Sequence, residues 1–347
     1  MEFETWVSQA KEEPLERNWA ALRCSRTMTA SDQGRLNRWL GRSPLRAVLR
    51  IVVLALSVGA TGWLLSSLWP EPDRVAKGAA PSVSDPSSLA LYPEGSITLL
   101  LIGADADNLR DPSNQAAPRG PANADALLLI RIDASQPLQI LQLPTELAVK
   151  LPGGDSPMAL GGLWRTGGVA LMADAIRDIL GLPEQSLQRY VVMPRQSLRT
   201  VVNNLGEVDV ILNQTYQGSD KSQGYSVDLQ AGRQSLNGAQ AEQLVRYLKG
   251  SGDDVNRRRR QQILIRAVVE QMQAPSGIIS MRGLLDEVSG QLETNLSTGE
   301  MLSLAAAVIA SPPPLEFSQL RLAPKLKNQP LRQLKPGQAL PLWPKKP

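Results

Sequence analysis

The stretch IVVLALSVGATGWLLSSLW, from Ile51 to Trp69, carries no charged side chain, and no other feature constrains the chain as strongly. A bilayer's hydrocarbon core is crossed by roughly 20 helical residues, so this run is just long enough to span it. Trp63 and Trp69 suit one interface, and Pro70, Glu71 and Asp73 end the segment. On the other side stand Arg35, Arg38, Arg42, Arg46 and Arg50, with almost no balancing acid after Asp32. Basic flanks stay in the cytoplasm. The expectation is therefore a single-pass protein of a cell membrane, its N-terminus cytoplasmic and its main domain extracytoplasmic. A cleaved signal peptide is the rival, but this leader would far exceed the usual length of about 15–30 residues. A buried core helix is the other reading of such a run.

The chain then divides into a basic tail (1–50), the span (51–69), a tether (70–93), a main domain (94–272) and a C-terminal extension (273–347). The tether, PEPDRVAKGAAPSVSDPSSLALYP, is rich in Pro, Ser, Ala and Gly, as a flexible linker is. The extension is expected to hold one helix and a Pro/Lys-rich tail.

Histidine is absent from all 347 residues. That removes the usual general base, the commonest metal ligand and every triad built on an imidazole. The single cysteine, Cys24, lies before the apolar run and forms no internal disulfide. Chemistry must come from carboxylates, arginines, hydroxyls or a borrowed metal ion. A formal net charge of only +4 implies no nucleic-acid partner.

From Gly95 onward, strand-like and helix-like segments alternate. SITLLLIG (Ser96 to Gly103) is an apolar run ending in glycine, as a buried strand would be. ALLLIRID (Ala126 to Asp133) and LQILQL (Leu138 to Leu143) flank a turn-like stretch, which predicts a β-hairpin. Val169, Met172, Ile176 and Ile179 share a helix face that Gly181 terminates. YVVM (Tyr190 to Met193) and VDVIL (Val208 to Leu212) are further strand candidates, while Gln240–Leu248 and Asn256–Met272 read as helices. A helix over Ser297–Ile309 opens on a capping box, Ser297 with Glu300. The fold class is α/β, a mixed central β-sheet flanked by helices.

In order along the chain, LLLIGADAD, NADALLLIRIDASQPLQILQLPTELAVKLPG, GGVALMADAIRDILGLP, YVVM, LGEVDVIL, DLQAGRQSLNGAQAEQLVRYL and DDVNRRRRQQ resemble the LytR-CpsA-Psr (LCP) family of cell-envelope proteins. The resemblance covers roughly Gly95 to Met272, and QLETNLSTGEML is similar as well. It implies transfer of a glycopolymer from a polyprenyl-pyrophosphate carrier to peptidoglycan, beside the lipid bilayer. It also implies an apolar pocket for the lipid, and arginines with an acid-held Mg2+ for the pyrophosphate. Phosphoryl transfer needs positioning and charge neutralisation more than covalent help, so the missing histidine is no obstacle.

By the same resemblance, Asp105 and Asp125 are the metal candidates. Arg246, Arg257 and Arg260, with Asp125, are the catalytic candidates. The three arginines and Asp254 are the substrate-binding ones. A helical wheel puts Arg257 and Arg260 on one side with Leu264 and Val268, and Arg259, Arg266 and Glu270 on the solvated side. Cations at the edge of an apolar face are costly unless something anionic meets them. The bland readings are a turn or cap for Asp105, a cap for Asp254 and a solvated face for the arginine run. Departures are visible: Asn123, Thr145 and Leu248 stand at family arginine positions, Ala126 replaces a threonine, and Glu146 and Leu147 complete the altered motif. Three missing cations leave two readings open, an active ligase or a non-catalytic relative that binds an envelope polymer, lipid carrier or partner protein. A DNA-binding regulator is a third reading, opposed by the expected topology, which sets the basic helix across the membrane from the chromosome.

Overall fold

A computed structural model describes residues 52–53, 85–110, 122–220, 225–250, 253–325 and 331–338. Apart from Val52 and Val53, the predicted membrane span and its basic flank lie outside these residues. Among the described residues no helix is long and apolar enough to cross a membrane.

A six-stranded mixed sheet forms the centre. Its strands are β1 (Ile97–Ala104), β2 (Ala124–Ile132), β3 (Gln139–Leu143), β6 (Arg189–Met193), β11 (Glu293–Thr294) and β12 (Glu316–Gln319), in the order β11-β6-β1-β2-β3-β12. β2 and β3 form the expected hairpin and β1 pairs antiparallel with β2 to extend it to a meander, while β6 joins β1 and β12 joins β3 in parallel. Between β3 and β6 come the short pair β4 (Ala148–Val149) and β5 (Met158–Ala159), then α1 (Leu163–Leu180). Gly181 ends α1 in the left-handed conformation, with its N–H turned back to Arg177 O and Asp178 O. After β6 follow α2 (Arg195–Asn204), β7 (Val208–Leu212), β8 (Tyr216–Asp220), β9 (Tyr225–Leu229) and β10 (Gly232–Leu236). Then come α3 (Gly238–Arg246), α4 (Asp254–Gln273), α5 (Pro275–Ser289) and α6 (Thr298–Ala310).

The period of two along each strand sorts the core into two layers. Leu100, Ile102, Leu127, Leu129, Leu141 and Leu143 face one way and pack with Met172, Ile176 and Leu180 of α1. Leu99, Leu128, Ile132, Ile140 and Val191 face the other way, toward Val269 of α4 and Leu304 of α6. A smaller core gathers β7 to β10 with α2, α3 and α4.

Two expectations need correction. VDVIL is a strand, but it pairs with β10 in a separate two-stranded sheet rather than joining the centre. The segment after residue 272, read as an extension, supplies both edge strands of the main sheet and two of its covering helices. Its strands, ET and EFSQ, are too short and polar to announce themselves, because edges need not be apolar. The capping box of α6 forms as expected, with Ser297 and Glu300 exchanging hydrogen bonds.

Candidate active site

The ends of β1 and β2 carry two carboxylates into one cavity. At Gly103 a Cβ would stand 3.0 Å from the Ala126 Cβ, so glycine lets the strands close up there. The register slips at Gly103/Ala104, and the Asp105 N–H donates to Asn123 O at 2.8 Å. Asp105 and Asp125 thereby line a cavity of about 140 Å³ together with Gln261, Glu242, Arg195 and Arg246.

The opposite wall is made by α2 and α3. A Cβ on Gly238 would lie 2.7 Å from the Arg199 Cα, so only glycine allows α3 to start this close to α2. One turn later Glu242 meets three arginines. Arg246 Nη1 donates to it at 2.9 Å, Arg199 is ion-paired and hydrogen-bonded to it, and Arg195 Nη1 stands 3.6 Å away. Arg199 also donates to Asp107 at 3.0 Å, and the Arg246 guanidinium lies 4.7 Å over the Tyr225 ring.

Burial pushes the Asp105 carboxyl up to about 7; the charge of Asp125 adds to this, and Arg195, Arg246 and Arg257 oppose it. A buried carboxyl raised beside a second carboxylate is relieved by a cation shared between them. Mg2+ is held by one or two carboxylates plus substrate phosphates, so Asp105 and Asp125 fit that role. Among the described residues no cluster of three or more carboxylates, thiols or imidazoles is disposed to enclose a metal. Any ion here would need oxygens from a ligand.

The expected arginines do not stay together. Arg257 stands at the edge of this site, outside the cavity's lining, donating to Asp254 Oδ1 at 3.1 Å and Thr145 Oγ1 at 3.4 Å, with Nη1 3.7 Å from Asp125 Oδ1. Asp254 thus holds Arg257. Arg260 turns away into the smaller core. Its Nε donates to Leu244 O at 3.1 Å and its Nη2 to Tyr247 O and Asp253, while the rings of Tyr216 and Tyr247 flank it at 5.2 Å. It is 2% exposed and does not line the cavity. A shared helix side was the ground for pairing it with Arg257, but three residues apart their long side chains reach different neighbours.

Arg258, next to Arg257 in the chain, is buried against Glu146, with Nη1 at 2.9 and 2.8 Å from its two oxygens. Glu146 in the altered motif therefore serves an ion pair beneath the site. Arg259, Arg266 and Glu270 are exposed, as the wheel predicts. Arg110, Arg165 and Lys249 are exposed as well, and none lines the cavity. Arg195, Arg199 and Glu242 were not singled out from sequence. Their only signal was the i,i+4 pair of arginines following a strand and Pro194, on a helix whose pattern is mostly polar.

Behind the charged cavity lies a second one of about 320 Å³, between the sheet and α2, α4, α5 and α6, lined wholly by apolar residues. Leu101, Leu128, Met193, Leu198, Leu264 and Ile265 line both. Protein interiors are normally close-packed. Walls without a polar group suit an apolar ligand.

The sequence and the fold have counterparts. The chain is 27% identical over 168 residues to the polyisoprenyl-teichoic acid–peptidoglycan teichoic acid transferase TagU of Enterococcus faecalis, covering 48% of this chain and 52% of that protein. It is 27% identical over 214 residues to the corresponding transferase TagT of Bacillus subtilis, covering 60% of this chain and 63% of that one. It thus spans between half and two thirds of the length of these relatives. The crystal structure of B. subtilis TagV superposes with a TM-score of 0.56 at 18% identity, over 70% of this chain and 91% of that one, which establishes the shared fold. The sequence model of the LytR_cpsA_psr family matches residues 74–328, taking in the sheet, both cavities and the arginines of the site, and the chain belongs to that family.

Proposed function

We propose that this protein transfers a glycopolymer from a polyprenyl-pyrophosphate carrier to peptidoglycan, on the outer face of a bacterial cell membrane to which residues 51–69 anchor it. The observation that carries this reading is the junction of the two cavities. A cavity that carries Arg195, Arg246 and the carboxylates of Asp105, Asp125 and Glu242 on its walls shares six lining residues with a chamber walled only by apolar side chains. A polyprenyl pyrophosphate has the same division into a highly charged head and a purely apolar tail.

In this reading the tail fills the chamber and excludes water from behind the head. Arg246 and Arg257 pair with phosphate oxygens, exchanging part of their present carboxylate contacts for the planar, two-point fit that guanidinium makes with phosphate. A hydroxyl of peptidoglycan attacks the phosphorus that bears the glycopolymer. The new P–O bond forms as the bond from that phosphorus to the bridging oxygen breaks, and polyprenyl phosphate leaves. Asp125, half-exposed at the mouth, takes the hydroxyl proton. Mg2+, held by Asp105 and Asp125, would neutralise charge on the departing phosphate. Arg260 acts on structure, tying α4 to the end of α3 through the carbonyls of Leu244 and Tyr247.

A second reading, binding without transfer, is favoured by Asn123, Thr145 and Leu248, which supply no cation where the family resemblance expects one. Both readings are tested on the purified full chain in detergent by native mass spectrometry, followed by an assay with lipid-linked polymer, peptidoglycan fragments and Mg2+. Retained polyprenyl phosphate and a polymer–peptidoglycan product are expected. Retained lipid with no product would select the second reading with the lipid carrier as ligand, and neither lipid nor product would defeat transfer and leave the second reading with an envelope polymer or a partner protein as ligand.

A further inference from the structure

Arg195 is 6% exposed, yet two of its nitrogens, Nε and Nη2, make no hydrogen bond among the described residues. Its carboxylate neighbours stand back: Asp107 at 3.5 Å, Glu242 at 3.6 Å and Asp105 at 3.9 Å. Those distances balance its charge without filling its donors. The same carboxylates are taken at closer range by other groups, since Glu242 binds Arg199 and Arg246 and Asp107 binds Arg199. Arg195 is also the first residue of α2, where the helix dipole disfavours a cation. A buried guanidinium in that position with open donors calls for a ligand, because buried N–H groups are seldom left unmet. It lines the charged cavity beside Arg246.

We infer that Arg195 is a pyrophosphate-gripping residue of this site, a cation supplied from α2 in compensation for those absent at Asn123, Thr145 and Leu248. The inference rests on the reading of the cavity as a lipid-pyrophosphate site. A phosphate oxygen entering between Arg195 and Arg246 would complete the guanidinium fork that the distant carboxylates leave open. The competing role is purely structural, as a counter-ion that keeps Asp105, Asp107 and Glu242 from repelling one another.

The test measures binding of farnesyl pyrophosphate and of farnesol to the full chain in detergent, for wild type, Arg195→Gln and Arg195→Lys. Wild type should prefer the pyrophosphate. Arg195→Gln should lose about ten-fold or more of that affinity, as loss of a charge-assisted contact does, while binding farnesol normally. Arg195→Lys keeps the charge against the three carboxylates but not the fork, and should fall between. Unchanged pyrophosphate binding in Arg195→Gln, or an equal loss for farnesol, would overturn the assignment. Where Arg195→Gln does not fold, the lysine variant decides, and affinity equal to wild type would overturn it. A wild type that binds both probes alike would instead defeat the lipid-pyrophosphate reading itself, and the inference with it.

Discussion

Arg260→Met is the substitution that best separates architecture from chemistry in this site. Methionine keeps an unbranched apolar stem between Tyr216 and Tyr247 but removes the guanidinium. Leu244 O and Tyr247 O then lose a charged donor, and Asp253 loses its ion-pair partner at 3.2 Å. Removing one partner of a buried pair costs about 3–5 kcal/mol, because the groups left behind stay desolvated. For a domain of this size each kcal/mol moves Tm by about 2–4 °C, so a fall of about 6–20 °C is expected. Differential scanning calorimetry of the full chain gives the shift, and transfer should be assayed well below the lowered Tm. There the variant should retain most of its activity. Abolished transfer with an unchanged Tm would refute the argument and return Arg260 to the catalytic group in which the family resemblance puts it.

Three other outcomes follow from the same geometry. The Asp105 carboxyl, pushed up to about 7 chiefly by burial, binds a proton in the folded state that the unfolded chain has already released between pH 4 and 7. Stability therefore falls as pH rises through that window, by at most about 4 kcal/mol, and Asp105→Asn should flatten the fall in a Tm-versus-pH series; a parallel series would contradict this. Val268→Trp projects into the apolar chamber and should block farnesyl pyrophosphate without lowering Tm, whereas the same change in a packed core would cost about 1–3 kcal/mol. Glu146→Leu alone should destabilise strongly by stranding Arg258, and Glu146→Leu with Arg258→Leu should recover most of the loss in urea unfolding. Additive losses would show that the two do not form a pair.

Legibility followed periodicity. The strands β1, β2 and β3 and the β2–β3 hairpin were visible because the apolar runs are long and bounded by turn residues, and α1 because Gly181 stops a regular apolar face. α2 was missed: its sequence RQSLRTVVNN is mostly polar, since its job is to present Arg195 and Arg199 to carboxylates. The short edge strands escaped notice for a related reason, as strands of two and four residues have no period to read.

What the residues alone determined was the α/β alternation, the apolar strands with their β2–β3 hairpin, and the absence of imidazole chemistry. All of these depend on local spacing or on composition, which a linear reading carries. The partners of the arginines were decided only in three dimensions. Four consecutive arginines look alike in sequence, yet Arg257 turns to Asp254 and Asp125, Arg258 to Glu146, Arg259 to solvent and Arg260 to the carbonyls of Leu244 and Tyr247. Each step along a helix rotates the side chain by about 100°. Its role is then set by whichever distant strand or helix lies in that direction.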